Sequence, residues 1–151
     1  LDKSFVKKYD DIESAFKKVA KEQGIKDYDK NIAADLINSS APVILKLKGY
    51  FNRPRPKVTA AKMNVKMKDI EMESMKTPSY PSGHSVQGTL IGKTLADKYP
   101  KSKSAFNKTA ENISYSRRVA HAHYKSDSDM GIELGKKLYN YTKNNNEKST
   151  S

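Results

Sequence analysis

Apolar residues recur at intervals of three and four along most of the chain, the spacing of helices that bury one face. In residues 4–23 the apolar positions follow this period, and Gly24 is a residue type that commonly ends a helix. The pattern therefore predicts an amphipathic helix over residues 4–23. Its apolar positions are Phe5, Val6, Tyr9, Ile12, Phe16, Val19 and Ala20.

A second helix is predicted over residues 28–52, where apolar residues again keep the helical period. Pro42 lies inside it and should kink it or divide it in two. The helix should end before the Arg-Pro-Arg-Pro sequence of residues 53–56, because prolines cannot continue it. Residues 57–80 are polar and weakly periodic, which predicts a long loop, with or without a short helix.

Three further helices are predicted, over residues 83–98, 103–120 and 127–141. Ser82 is a suitable N-cap for the first of them, and Pro100 follows its end. The asparagine- and serine-rich residues 142–151 predict a frayed tail. Since no segment alternates like a strand, the predicted fold class is all-α. We expect the whole chain to form a single-domain helical bundle with one long loop.

The amino-acid composition restricts the possible chemistry of the protein more than it restricts the possible folds. The 151 residues are enough to bury one core without covalent cross-links. The absence of cysteine excludes disulfides, a thiol nucleophile and a cysteine-ligated metal. The formal net charge of +12 favours negatively charged partners such as phosphoesters, nucleic acid or an anionic membrane. The lysines are scattered, however, so no dedicated nucleic-acid arm is indicated.

No apolar run approaches the roughly 20 residues that cross a bilayer, which predicts a soluble protein without a transmembrane segment. The chain begins at Leu1 without a basic and apolar leader. If a signal peptide has been removed, the protein would be periplasmic or secreted. The compartment therefore stays open at this point, as does assembly into a homo-oligomer.

Three short clusters, in residues 48–56, 80–85 and 116–127, contain the residues best suited to bind and transfer a phosphoryl group. Transfer spreads negative charge over three phosphate oxygens, which cations and N–H donors must stabilise where no metal does so. Lysine and arginine side chains supply cations, and a glycine at a helix N-terminus lets backbone amides approach the anion. The candidates are Lys48, Arg55 and Arg117, with Ser82 and Gly83 at the predicted helix start.

All three histidines of the chain also lie in these clusters. A neutral imidazole can attack phosphorus when a carboxylate holds its other nitrogen. His123 and Asp127 are four residues apart, so on a helix they would face the same way. A second, protonated histidine can donate its proton to the leaving alcohol, and His84 at the predicted helix start suits that role.

The clusters together resemble the three-part pattern of the type 2 phosphatidic acid phosphatase superfamily: Lys-x6-Arg-Pro, Pro-Ser-Gly-His and Ser-Arg-x5-His-x3-Asp. That superfamily includes membrane lipid phosphatases, soluble bacterial class A acid phosphatases and vanadium-dependent haloperoxidases. The resemblance covers about residues 46–138 and is strongest to the soluble acid phosphatases, whereas the N-terminal helix adds nothing specific to it. It implies phosphate binding by Lys48, Arg55, Ser82, Gly83 and Arg117, with His123 as nucleophile, Asp127 as its orienting carboxylate and His84 as general acid.

Two assignments have alternatives. Lys46 with Arg53 satisfies the first spacing as well as Lys48 with Arg55, which we prefer because its surroundings are closer to the superfamily's form. On a straight helix His121 would share a face with Arg117. The resemblance instead indicates His123 and implies a turn near Ala120, where this chain has His121 in place of the superfamily's frequent glycine.

The predicted function is hydrolysis of small phosphate monoesters through a covalent phosphohistidine, without a metal or an organic cofactor. Phosphate or vanadate would fit the site, and vanadate should inhibit. A protonated His84 and a neutral His123 predict an acidic to near-neutral optimum. The alternatives are a lipid phosphatase acting at a membrane surface, a vanadate-dependent haloperoxidase, and a basic nucleic-acid-binding module, for which no specific motif is present.

Overall fold

The computed structural model describes residues 2–68, 70 and 72–150, which form helices and connecting segments without a strand. The predicted all-α class is confirmed. None of the described helices is long and apolar enough to cross a membrane. The helices are α1 (Lys3–Asp10), α2 (Ile12–Glu22), α3 (Asn31–Phe51), α4 (Pro56–Lys62), α5 (Gly83–Lys98), α6 (Lys103–Val119) and α7 (Lys125–Thr150), with 3-10 turns at Glu73–Lys76 and Pro100–Ser102.

The predicted single helix over residues 4–23 is wrong, because the chain breaks at Asp11 into α1 and α2. Asp11 has an extended backbone, with φ −91° and ψ 108°, and its carboxylate accepts a hydrogen bond from the Ser14 N–H at 3.0 Å. An aspartate in this conformation caps a new helix more favourably than it continues an old one. The break leaves Asp10 as the last residue of α1.

Helix α3 is continuous through Pro42, so the proline does not divide it as one interpretation of the sequence had expected. The helix ends where Asn52 takes the left-handed conformation, with φ 46°, and its N–H bonds to the Lys48 carbonyl at 2.8 Å. Pro56 then begins α4 at the first helical position, which proline favours. The predicted long loop therefore does contain a short helix.

Helix α5 lies at the centre of the bundle and packs against α3, α6 and α7. Helix α7 packs closely against α5 at Gly131 and Gly135. A Cβ added to Gly131 would lie 2.6 Å from the Ser82 carbonyl oxygen, and one added to Gly135 would lie 2.7 Å from the Val86 carbonyl oxygen. These two glycines of α7 bring it against the first turns of α5.

The main core joins α1, α2, α3, α5 and α6. Burial of this apolar surface is the main stabilising contribution to such a bundle. Its buried residues are Tyr9, Ile12, Ala15, Phe16, Ala20, Ala33, Ile91, Leu95, Phe106 and Ile113.

Helix α7 extends much further than the predicted helix over residues 127–141. The helix runs to Thr150, through most of residues 142–151, for which a frayed tail was predicted; Ser151 lies outside the described residues. No glycine or proline interrupts the chain after Gly135. The helix is also anchored to α5, because the Tyr139 hydroxyl donates to Asp97, and Lys143 Nζ lies 4.0 Å from the same carboxylate.

Candidate active site

Five ionisable side chains from distant parts of the sequence meet where α3 and α6 end and α5 begins. Each is at most 6% exposed. Charged side chains are rarely buried this deeply unless they are paired or functional. They are Lys48, Arg55, Arg117, His123 and Asp127.

The hydrogen bonds of His123 determine its tautomer. Its Nε2 lies 3.0 Å from Arg55 Nη1, and a guanidinium has only donors, so Nε2 must accept. Its Nδ1 therefore holds the proton and donates to Asp127 Oδ2 at 3.2 Å. Burial lowers the pKa of His123 to about 4, the Asp127 bond opposes this, and the positive charge of Arg55 adds to it. At neutral pH the ring is neutral, with its lone pair on Nε2.

Asp127 is held in place by several donors. Besides His123, the Tyr124 N–H donates to Oδ2 at 2.8 Å, the Ser79 hydroxyl donates to the same oxygen, and Arg53 Nη1 lies 2.8 Å from Oδ1. Burial alone would raise the pKa of this carboxyl, but the hydrogen bonds from His123, Ser79 and Tyr124 outweigh it and the pKa is lowered. Asp127 is therefore ionised and fixed in orientation.

The sequence allows Arg53 to be an alternative phosphate ligand, a solvated charge or a charge behind the phosphate-binding residues, and the structure places it behind Asp127. Its Nη1 also donates to the Ser126 hydroxyl at 2.7 Å, and its guanidinium lies 4.4 Å from the centre of the Tyr80 ring. The two prolines in this segment already indicate that Arg53 lies near Arg55. Arg53 and Arg55 each precede a proline, which favours extended backbone, and residues two apart in an extended segment point to the same side, so both arginines can reach one site.

The two spacing alternatives differ clearly in position. Lys48 and Arg55 are buried beside His123, whereas Lys46 is exposed. Lys48 Nζ donates to the Pro78 carbonyl at 2.8 Å, and Arg55 Nε donates to the Thr77 carbonyl at 2.8 Å. The geometry favours Lys48 with Arg55.

The buried cations repel one another. Burial and the charge of Arg55 lower the pKa of Lys48 to about 8. Burial and the charge of Arg117 lower the pKa of Arg55 to about 10. Because like charges at close range disfavour each other's charged forms, an anion placed among them would stabilise all three. The arrangement is suited to bind an anion with several oxygens.

Helix α5 begins at this cation cluster. Ser82 is its N-cap, as predicted, and its hydroxyl accepts from the Ser85 N–H at 3.2 Å. A Cβ on Gly83 would lie 3.7 Å from Lys48 Cε, so the helix start is in contact with the lysine. The first N–H groups of a 16-residue helix and its dipole add to the attraction for an anion.

His84 is also at this end of α5, but it faces α1. Its Nε2 lies 2.7 Å from the Asp10 carbonyl oxygen, so Nε2 carries a proton and donates it. Burial and the charge of Arg117 lower the pKa of His84 to about 3. The predicted protonated state of His84 therefore requires negative charge from a bound phosphate group to offset these effects.

Arg117 is fully buried, and its Nη1 bonds to Asp10 Oδ1 at 2.9 Å. Burial lowers the pKa of Arg117, and Asp10 opposes that change. The sequence did not indicate Asp10, which is 107 positions from Arg117 and lies outside the region that carries the family resemblance. No local spacing or motif connects the two residues.

His121 lies at the turn after α6. Its φ is 57°, the left-handed region in which glycine is favoured, so the turn predicted near Ala120 is present. Its Nδ1 lies 2.5 Å from the Lys68 carbonyl oxygen. Of the two candidate nucleophiles, the structure places His123 against Arg55 and Asp127, and directs His121 elsewhere.

Within residues 2–68, 70 and 72–150, no group of three or more histidine and carboxylate side chains is arranged to hold a metal ion. That the chemistry needs no metal stays a prediction.

Comparison with known proteins places the chain in a family. Residues 32–136 match the PAP2 superfamily, and the range contains every predicted site residue. A non-specific acid phosphatase of Salmonella typhimurium is 33% identical over 88 residues, which cover 58% of this chain and 35% of that protein. A non-specific acid phosphatase of Salmonella typhi is 32% identical over 88 residues, with the same coverage. The matched region spans about a third of each relative's length, and the resemblance inferred from the three clusters is confirmed.

Proposed function

Because the chain belongs to the PAP2 superfamily, we propose that it is a phosphatase that hydrolyses phosphate monoesters through a covalent phosphohistidine. One observation carries this proposal. His123 has its lone pair on Nε2, directed to Arg55, while Nδ1 donates to the ionised Asp127. A nucleophile held between an orienting carboxylate and an oxyanion-binding cation is the arrangement that phosphoryl transfer requires.

The substrate's phosphate group would bind among Lys48, Arg55, Arg117 and the N-terminal amides of α5. Arginine can contact two oxygens at once, and the buried setting strengthens each contact relative to water. The pKa values of Lys48 and Arg55, lowered to about 8 and about 10, support this assignment, because a bound anion relieves the repulsion among the cations.

In the first step, the lone pair of His123 Nε2 forms a bond to phosphorus and the ester P–O bond breaks. The leaving oxygen takes a proton from His84 and departs as an alcohol. The imidazole of His123 becomes positively charged as the N–P bond forms, and Asp127 stabilises that charge through Nδ1–H. The products of this step are the phosphohistidine and the free alcohol.

In the second step, water attacks phosphorus and the N–P bond breaks. His84, now neutral, accepts the proton of the attacking water, and the bond electrons return to His123 Nε2. Inorganic phosphate is released and both histidines regain their starting states. Since Nε2 of His84 is occupied by the Asp10 carbonyl, Nδ1 is the nitrogen left to exchange the proton.

The protonation of His84 is coupled to substrate binding in this scheme. Without added negative charge the pKa of His84 is lowered to about 3, so the general acid would be neutral at pH 6. A phosphate group beside it brings nearly two negative charges, which raise that pKa. The scheme therefore supports an acidic to near-neutral optimum. Both Salmonella relatives are named acid phosphatases.

The test compares two histidine variants on an aryl phosphate such as p-nitrophenyl phosphate. His123→Asn removes the nucleophile and should lower kcat by at least about 1000-fold. His121→Asn is the matched control, because asparagine tolerates the left-handed backbone, and it should stay within a few-fold of wild type. Near-native turnover by His123→Asn, or equal losses in both variants, would show that the proposed mechanism is wrong.

A further inference from the structure

Asp10 lies outside residues 32–136, the range that matches the superfamily, yet it contacts two of the proposed site residues. It does so with different groups. Its backbone carbonyl accepts the proton of His84 Nε2 at 2.7 Å, and its carboxylate Oδ1 lies 2.9 Å from Arg117 Nη1. Nothing in the superfamily match or the relatives assigns a role to this residue.

The carbonyl is available because α1 ends at Asp10. The last carbonyls of a helix have no partner within it, and they carry the negative end of the helix dipole. Asp11 turns into extended backbone instead of continuing the helix. The break at Asp11 therefore presents a negative helix end to the imidazole of His84.

The carboxylate adds a full negative charge at the same place. Oδ1 lies 3.8 Å from His84 Nε2 while it bonds to Arg117. The other charged or titratable groups that act on His84 are Arg117 from α6, Lys48 from α3 and His123, and each of them lowers its pKa. Asp10 opposes that set: the hydrogen bond to its backbone carbonyl raises the pKa of His84, and a carboxylate 3.8 Å away favours the protonated imidazole in the same direction.

Packing fixes Asp10 relative to α6, the helix that carries Arg117. Val6 of α1 is 1% exposed, and Asn112 of α6 donates to the Tyr9 hydroxyl at 3.1 Å. The rings of Phe5 and Tyr115 also meet, with their centres 6.0 Å apart. The end of α1 is therefore held against the helix that supplies the phosphate-binding arginine.

We propose that Asp10 is a positioning residue of the active site, which orients His84 and favours its protonated form while it holds Arg117 in place for the substrate. This proposal rests on the proposed phosphatase function. It extends the active site into the N-terminal helices, beyond the three sequence clusters.

The test uses Asp10→Asn, which removes the charge but keeps the size and the backbone carbonyl. Asp11→Asn is the matched control, because Asp11 is the neighbouring exposed carboxylate, it contacts the Ser14 N–H, and asparagine caps helices equally well. Both variants are assayed on p-nitrophenyl phosphate and on phenyl phosphate. The value compared is kcat/KM, which reports on events up to departure of the leaving group.

A good leaving group departs without a proton, whereas a poor one needs the general acid. We therefore expect Asp10→Asn to lower kcat/KM about 10-fold on p-nitrophenyl phosphate and about 100-fold on phenyl phosphate. Its alkaline pH limb should move to lower pH, because loss of the negative charge lowers the pKa of His84. Asp11→Asn should match wild type on both substrates. Equal losses on both substrates with an unmoved pH limb, or no loss at all, would overturn the proposal.

A second measurement does not depend on turnover. The chain has only three histidines, so their ring signals can be followed by NMR as the pH is varied in the presence of inorganic phosphate. His84→Asn identifies the signal of His84. That signal should titrate at lower pH in Asp10→Asn than in wild type and Asp11→Asn, even if no ester is hydrolysed. An unchanged midpoint would contradict the role of Asp10. A wild-type protein that hydrolyses no phosphate ester would contradict only the phosphatase proposal.

Discussion

At the scale of single residues, hydrogen bonds to individual side-chain atoms determine the tautomer of His123 and the orientation of its ring. Arg55 can only donate, so it fixes the lone pair of His123 on Nε2, and Asp127 fixes the proton on Nδ1. Asp127 is in turn fixed by Arg53 and Ser79. Reactivity at His123 therefore depends on residues that would never touch the substrate.

Arg53→Ala tests that dependence. The variant leaves Asp127 Oδ1 without its 2.8 Å partner, so the carboxylate and the His123 ring lose orientation. We expect kcat/KM for an aryl phosphate to fall roughly 10- to 100-fold, in line with the cost of small misplacements in active sites.

Lys46→Ala is the control for Arg53→Ala, since Lys46 is exposed and belongs to the alternative spacing. It should change kcat/KM by less than about two-fold, within the range of surface substitutions. Equal losses in the two variants would mean that Arg53 acts only through the general positive charge of the surface.

The residues proposed to contact phosphate could be predicted from the sequence better than the residues that hold them in place. The side chains of the three clusters could be predicted to converge because their chemistry is complementary to phosphate. Arg53 was ambiguous, because two spacings fit the first cluster and neither shows that Arg53 binds Asp127. Asp10 could not be predicted, since its contact with Arg117 depends on how α1 packs on α6, which no local pattern encodes.

At the scale of elements, the phosphate-binding end of α5 is set by its contact with α7. Gly131 lets α7 approach the Ser82 carbonyl and the Ser85 side chain, and Gly135 permits the same approach one turn further along. The Ser82 N–H also bonds to the Asp127 carbonyl at 3.0 Å. This packing therefore positions the helix start relative to Asp127.

Alanine at Gly131 should separate these helices. Its Cβ would lie 2.6 Å from the Ser82 carbonyl oxygen, and overpacking of this kind costs about 1–3 kcal/mol. Gly135→Ala should cost a similar amount but lower kcat/KM less, because its contacts are with Val86 and Thr89, further from the site. Urea unfolding and aryl phosphate assays measure the two effects.

Gly49→Ala is the matched control within a helix, since nothing lies within 4 Å of a Cβ added there. It should leave stability unchanged or increase it by up to about 1 kcal/mol, because alanine favours helix more than glycine does. If Gly131→Ala were as stable as Gly49→Ala, the close contact between α5 and α7 would not be needed.

Most helices could be predicted from apolar periodicity, and the errors have identifiable physical causes. The break at Asp11 lies inside an unbroken apolar pattern, and only the capping of Ser14 by its carboxylate reveals it. Residues 142–150, through which α7 continues, are all polar types, so apolar periodicity could not indicate a helix there. Its anchors, Tyr139 and Lys143, bind Asp97 from a helix more than 40 positions away.

At the scale of the whole molecule, the buried histidines link stability to pH. The pKa of His123 is lowered from 6.5 to about 4, and that of His84 from 6.5 to about 3. Between pH 6.5 and about 3 the unfolded chain therefore binds more protons than the folded one, so stability falls as the pH is lowered through this window.

We expect the thermal midpoint in phosphate-free buffer to decrease between pH 7 and pH 4, with most of the change below pH 6.5. The double variant His84→Asn, His123→Asn should show a shallower decrease, because it removes both groups that take up protons on unfolding. Calorimetry at several pH values measures this. An identical pH dependence in wild type and double variant would mean that the two buried imidazoles contribute nothing to it.

The covalent intermediate is the central claim, and direct trapping is its most decisive test. Wild-type protein is mixed with a radiolabelled phosphate monoester and quenched in alkaline detergent, in which a phosphorus–nitrogen bond survives, and the labelled peptide is identified by mass spectrometry. The account predicts label on His123 in wild type and no label in His123→Asn. Rapid hydrolysis with no trapped phosphate, or label on His84, His121 or a serine, would contradict it.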